Sequence, residues 1–303
     1  MSEKSTSKGL TFGLSAYLIW GSFPLIISAL AFAGPWEIVV WRIVFGFLTA
    51  AVIIAFRKDF KQLIVIMKNW KQFRWVVTAA VLVMVNWQIY VIAIVDHHVI
   101  EASLGYFINP LVTIGLAVVF LKERLSKLQW AAVAFGFIAV VVLTFDYGRL
   151  PWLALSLAFS FAVYGLAKSK LGGQVSAVNS FALEAGLLLP VAIIQLWFVA
   201  LTPAGITFLS QGFWGAAGLS FYGVMTAVPL ILFGLAAQHL PLRYIGFMQY
   251  LTPSIQFVLA LTVFHEPMPQ VRWIGFGLVW VALVLLSTDL IRQKQRNGVI
   301  TPA

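Results

Sequence analysis

Eight ionisable residues lie inside or at the margin of long apolar runs, and Arg42, Asp96, Glu101, Glu184 and Arg243 stand out beside His97, His98 and His239. A charge at the bilayer centre costs roughly 2.5–3.5 kcal/mol on insertion scales, so each needs a partner, a proton or a route to water. Arg42 lies six residues inside one apolar run, and Glu101 opens another. Glu184 and Arg243 occupy corresponding places 142 residues later, with the signs exchanged. An ion pair taken out of bulk water is strong but costly, which suits a latch that must break. The pattern predicts an Arg42–Glu101 latch at one membrane face and a Glu184–Arg243 latch at the other. Static stabilisation and snorkelling to the headgroups are the structural alternatives. Glu101, in the first turn of a helix, also faces the positive end of the helix dipole. Glu101, Asp96 and Glu184 are candidate proton carriers, because a carboxylate held away from water takes up a proton more readily.

Other chemistries find no support. The chain has no cysteine, so disulfides, thiolate metal sites and thiol nucleophiles are excluded. Asp96-His97-His98 makes a poor metal site: adjacent histidines on a helix point about 100° apart, and no further ligand cluster is evident. His265-Glu266 lacks the second histidine of a zinc-protease helix. There is no P-loop lysine and no G-x-S-x-G elbow. A membrane-embedded enzyme is disfavoured, and no metal or cofactor is expected.

The elements that hold these residues are membrane spans. Of 303 residues, 61% are hydrophobic and 10% charged, against about 45–50% and 25% in soluble domains. The apolar runs are roughly 20 residues long, which is bilayer length. They predict an all-α protein with ten spans at 10–30, 36–56, 74–95, 100–121, 128–146, 150–168, 177–200, 213–236, 243–264 and 272–290. The first run is longer than a signal-peptide core and is interrupted by Trp20-Gly21 and Pro24, so it is expected to be retained. Seventeen of the 20 Lys and Arg residues fall on one side of this topology. Only Arg149 and Arg272 fall on the other, and Arg42 lies within a span. Positive charge stays inside, so both termini are expected in the cytoplasm, with the chain in the cytoplasmic membrane. The net charge of +10 is then a topology signal and calls for no nucleic-acid partner. The linker 57–74, with Trp70 and Phe73, reads as a helix lying on the inner leaflet.

The chain also repeats itself. "NPLVTIGLAVVFLKERLSKLQWAAVAFGFIAVVVLT" (109–144) aligns without a gap on "TPSIQFVLALTVFHEPMPQVRWIGFGLVWVALVLLS" (252–287). Pro110 falls on Pro253, Glu123 on Glu266 and Trp130 on Trp273. Each half, 1–146 and 147–303, holds five spans, and an odd number inverts the second half. Inverted repeats build secondary transporters with a site near the midplane. Pro110 and Pro253 lie near the middle of spans four and nine, where each frees a carbonyl four residues back. Freed backbone at membrane depth must face protein or a water-filled cavity. The two prolines therefore predict helix breaks lining a cavity.

Several motifs carry a family resemblance: "AYLIWG" (16–21), Glu37 with Arg42, "NW" (86–87), "HHVIEASLGYFINPLV" (97–112) and "FLKERL" (120–125). Others are "LALSLAFSFAVYGL" (153–166), Glu184 with "LLP" (188–190), and "IGFMQYLTP" (245–253). The chain resembles the drug/metabolite transporter superfamily in its ten-helix EamA form, and more narrowly the RarD proteins, often labelled chloramphenicol-sensitive proteins or permeases. The resemblance implies a 5+5 inverted-repeat fold around a central cavity, moving small metabolites or drugs.

The resemblance also places spans one, three, four, six, eight and nine around that cavity. The matching residues are Tyr17, Trp20, Asn86, Trp87, Tyr90, Tyr106, Asn109, Ser160, Tyr164, Tyr222, Thr226, Gln249, Tyr250 and Gln256. Aromatic walls with few amides and hydroxyls suit an uncharged or zwitterionic, partly apolar ligand. A phosphate would want converging Lys or Arg. The expected partners are a small-molecule substrate and the lipid bilayer, with the chain acting as a monomer. Nothing in the sequence separates proton coupling from passive facilitation by the same fold.

Overall fold

Long apolar segments in lipid must satisfy their backbone groups internally, and a helix does so within one segment. The computed structural model describes residues 3–58, 60–121, 125–171, 176–239 and 248–298. Among these residues the regular structure is helical throughout: α1 (Glu3–Ala29), α2 (Gly34–Arg57), α3 (Phe60–Lys68), α4 (Trp70–Val95), α5 (Val99–Leu121) and α6 (Lys127–Tyr147) come first. They are followed by α7 (Trp152–Leu171), α8 (Ala177–Ala200), α9 (Gly212–His239), α10 (Leu251–Thr262) and α11 (Gln270–Gly298). Eight helices are long and apolar enough to cross a membrane, and two shorter apolar stretches are Trp152–Lys168 and Leu251–Thr262. The outside of the bundle is apolar too: Phe56, Phe145 and Trp214 are each more than 80% exposed. Helices that are apolar all round belong in lipid or in a large core.

Local signals set the helix ends. Pro35 sits in the first turn of α2, where its missing N–H is no loss. Ser126 and Gln129 form a reciprocal capping box at α6, with bonds of 3.2 and 3.0 Å. Gly148 ends α6 at φ 64°, a left-handed conformation that glycine takes without steric penalty. The linker expected as one surface helix is instead split. α3 covers Phe60–Lys68, and α4 already begins at Trp70, capped by Asn69.

The expectation at Pro110 needs correction. Pro110 lies inside a continuous α5, so the helix does not break there. One missing backbone bond is tolerated when neighbouring turns keep theirs, and Asn109 Nδ2 ties this turn to Ala158 O on α7 at 3.0 Å. At Pro253 a turn at Gln249 and Tyr250 separates helical Met248 from α10. Pro253 is the third residue of α10, where the N–H has no intrahelical acceptor in any case.

The helix pairings come in matched sets. α1 packs along α9 as α7 packs along α4, and α1 meets α10 as α7 meets α5. α2 lies on α9 as α8 lies on α4, while α2 with α8, α5 with α10 and α6 with α11 pair directly. Glycines allow the tightest crossings. A Cβ on Gly105 would stand 2.7 Å from Ala154 O of α7, and one on Gly223 would stand 2.5 Å from Phe45 Cβ of α2.

Candidate functional site

In the middle of this apolar bundle, polar side chains from four helices meet. Asn86 of α4 is 2% exposed. Its Nδ2 donates to Ser160 Oγ (3.0 Å) and Leu157 O (3.2 Å) of α7. Its Oδ1 accepts from the Tyr106 hydroxyl of α5 at 3.2 Å. One turn along α4, the Tyr90 hydroxyl accepts from Gln256 Nε2 of α10 at 2.8 Å. Gln256 Nε2 also reaches Trp20 O of α1 at 3.3 Å, while its buried Oε1 has no protein partner. The Tyr90 and Tyr106 rings are 5.7 Å apart, edge to face, and join the two groups. Tyr17 and Trp20 extend the wall at 5.5 Å, and Thr252 Oγ1 donates to Tyr17 O at 3.1 Å.

Arg42 lies beside this wall. It is 4% exposed, and at 1.5 Å per residue it sits about 12 Å below the start of α2. Its guanidinium carbon is 4.2 Å from the Trp87 ring centroid, 5.1 Å from Tyr222 and 5.6 Å from Phe23. Nη1 donates to the Tyr222 hydroxyl at 2.8 Å, and Nε has no acceptor among the described residues. Each desolvated cation–π contact returns about 0.5–2 kcal/mol. Burying an unpaired cation costs several kcal/mol, so the rings offset only part of it.

The bundle end next to Arg42 is closed by four polar ties across the chain. Arg149 grips Glu101 with both terminal nitrogens, Nη2–Oε2 at 2.8 Å and Nη1–Oε1 at 3.2 Å. Glu101 Oε1 also accepts from Leu153 N at the start of α7. Glu266 accepts from the N–H groups of Val99 and Ile100, capping α5. Arg272 Nε pairs with Asp146 Oδ2 at 2.7 Å. Glu37 accepts from Thr207 N, Thr207 Oγ1 and Trp41 Nε1 at 2.8–3.0 Å. This is the capped end.

At the opposite end Glu184 of α8, 1% exposed, is engaged by Lys168 Nζ at 2.6 Å, Ser180 Oγ at 2.7 Å and Tyr164 Oη at 3.2 Å. An aromatic row links this group to the centre. Tyr164 stacks on Phe161 at 5.7 Å, and Phe161 meets Tyr106 at 5.9 Å.

The expected Arg42–Glu101 latch needs correction. Glu101 faces the α6–α7 connection, so it pairs with Arg149 and not Arg42. Arg42 points from α2 toward α1, α4 and α9 instead. Glu184 is taken by Lys168, and Arg243 lies outside the described residues. Asp96 caps the C-terminus of α4 on an exposed turn, which removes the burial that made it a candidate carrier. Gln249 is exposed and Tyr250 half-buried in the turn before α10. Thr226 Oγ1 bonds only its own helix, at Tyr222 O. Arg149, Arg272 and Lys168 were not picked out as site residues. The first two had a signal: they are the two cations on the sparsely charged side.

A multi-pass bundle with an apolar exterior and a buried polar, aromatic centre has the character of a membrane transporter. Residues 7–145 match the EamA-like transporter family. Protein RarD of Streptomyces exfoliatus is 41% identical, over 97% of this chain and 93% of that protein. Protein RarD of Escherichia coli (strain K12) is 35% identical, over 98% and 100%. A solved structure described as "Crystal structure of protein" superposes with a TM-score of 0.61 at 17% identity, covering 94% of this chain and 99% of that one, and shares the fold. These matches place the molecule among membrane transporters of the drug/metabolite superfamily. Within that class, the chain belongs to the RarD family of EamA-like proteins.

Proposed function

We propose that this protein is a secondary transporter that exports a small, uncharged or zwitterionic, partly apolar metabolite or drug across the cytoplasmic membrane by alternating access. The carrying observation is the buried cluster of Asn86, Tyr106, Ser160, Tyr90 and Gln256. It draws amides and hydroxyls from both halves of the chain into the middle of an apolar bundle. Polar groups there are expensive unless they serve a path or a ligand. In this reading ten spans form two inverted five-helix halves, 1–146 and 147–303, with both termini cytoplasmic. The exchange symmetry of the helix pairings supports that division. The capped end is then extracytoplasmic, gated by Glu101–Arg149, and Lys168–Glu184 gates the cytoplasmic end.

A thermal-shift screen of metabolites and chloramphenicol-like compounds on purified protein tests the ligand class. Hits then go into proteoliposomes with and without a pH gradient. Uptake that collapses with the gradient while counterflow persists marks proton coupling. If phosphorylated compounds alone bind, the proposed chamber chemistry is wrong.

A further inference from the structure

We propose that Arg42 binds a carboxylate on the transported molecule, so that the substrate is a small organic acid or zwitterion with an apolar or aromatic body. This rests on the transport reading above and narrows it, because it removes uncharged compounds.

Arg42 is buried at membrane depth, and among the described residues no carboxylate lies within ion-pair distance of it. Each buried glutamate that could serve is already engaged. Glu37, five residues toward the capped end, is held by Thr207 and Trp41. Glu101 is held by Arg149 and Leu153. Glu184 is held by Lys168, Ser180 and Tyr164. A buried cation with no protein anion carries an uncompensated desolvation cost, which an anion arriving with the ligand would offset.

The orientation of the guanidinium adds chemistry. Trp87 lies 4.2 Å from the guanidinium carbon, and Nη1 is spent on Tyr222. That leaves the Nε–Nη2 edge, whose Nε has no acceptor among the described residues. This edge is the planar fork that grips a carboxylate through two parallel bonds. Phe23, Trp87 and Tyr222 provide an apolar surface next to the same group. Trp87, which faces the guanidinium, follows Asn86 on α4, so Arg42 lies beside the buried polar cluster. A single guanidinium matches one carboxylate. A phosphate dianion would need further cations, and Lys168 is committed at the other end of the bundle.

The test uses the full chain in detergent and a thermal-shift panel of carboxylates, matched carboxamides and matched phosphate esters, led by phenylacetate, phenylacetamide and phenyl phosphate. Acids are expected to stabilise the protein, and amides and esters are not. Arg42→Lys keeps the charge but loses the fork, and should weaken acid binding at least about tenfold. Arg42→Gln should abolish it. Should that variant fail to fold, Arg42→Lys carries the comparison. The proposal is overturned if amides bind as tightly as acids, if phosphate esters bind and acids do not, or if acid binding is unchanged in Arg42→Lys. Binding of neutral compounds alone would sink the carboxylate and leave the transport reading standing. Binding of no panel member by folded protein would overturn both.

Discussion

Arg149 holds Glu101 through two parallel hydrogen bonds, and the same carboxylate accepts the Leu153 N–H that opens α7. One side chain thus closes an ion pair and caps a helix. Arg149 is 37% exposed and Glu101 1%, so solvent screens part of the pair. Glu101→Gln keeps the cap and loses the pair, and is expected to destabilise the protein by about 1 kcal/mol. Exchanging the charges, Glu101→Arg with Arg149→Glu, should restore part of the transport lost in either single variant. The restoration stays partial because an arginine at 101 cannot accept from Leu153. Proteoliposome uptake by the three variants checks this, and a double variant as inactive as the singles removes the gate.

Glu266, in the connection before α11, makes stability pH-dependent. Burial raises its pKa above the ordinary 4.5, opposed by the Ile100 and Val99 N–H groups and by His98 and His97. A raised folded-state value means the native protein binds more protons across that window. Its contribution is therefore full below about pH 4.5 and is lost as pH rises through the raised value. Thermal unfolding from pH 4 to 7 should show this downward slope, and Glu266→Gln should flatten it. An unchanged slope in that variant would assign the dependence to another group.

Much of the fold was legible in the sequence because lipid permits few alternatives. Bilayer-length apolar runs became helices, and Ser126-x-x-Gln129 became a capping box with both bonds in place. Asn86, Tyr106 and Ser160, picked out by resemblance, meet in space. Partners were not legible. Arg42 and Glu101 were matched by sign and depth, but depth along a helix does not say which way a side chain faces. Glu101 turned to the α6–α7 connection, and Arg42 turned to three aromatic rings. The start of the ninth expected span, at 243, lies outside the described residues, and within them a turn at Gln249 and Tyr250 interrupts it before Leu251.

Tyr106→Phe removes one hydroxyl and keeps the ring. Asn86 Oδ1 then loses the Tyr106 bond at 3.2 Å. A buried acceptor left bare costs about 1–3 kcal/mol, so a modest loss of thermal stability is expected. Transport should fall by more than stability if the polar cluster between α4, α5 and α7 binds substrate as proposed, because the hydroxyl belongs to that cluster. Initial uptake rates at matched folded protein separate the two effects. Equal losses would make Tyr106 structural only.

Gly223 is where the bundle sets the position of Arg42. A Cβ there would stand 2.5 Å from Phe45 Cβ, 3.0 Å from Trp41 O and 3.1 Å from Gly46 N. Two of these are backbone atoms of α2, which cannot rotate aside, so Gly223→Ala must push α9 away from α2. Overpacking of this kind costs about 1–3 kcal/mol. The neighbouring residue, Tyr222, carries the hydroxyl that accepts from Arg42 and a ring at its guanidinium. Separation of the helices therefore loosens Arg42 as well as the packing. Gly46→Ala is the control on the same interface. Its added Cβ meets the Phe181 ring edge at 3.1 Å, a side-chain atom where Gly223 meets backbone. Gly223→Ala is expected to lower both the melting temperature and ligand affinity, and Gly46→Ala to lower the melting temperature less and leave affinity near wild type. If both variants lose affinity in proportion to stability, the α2–α9 crossing supports the fold without positioning Arg42.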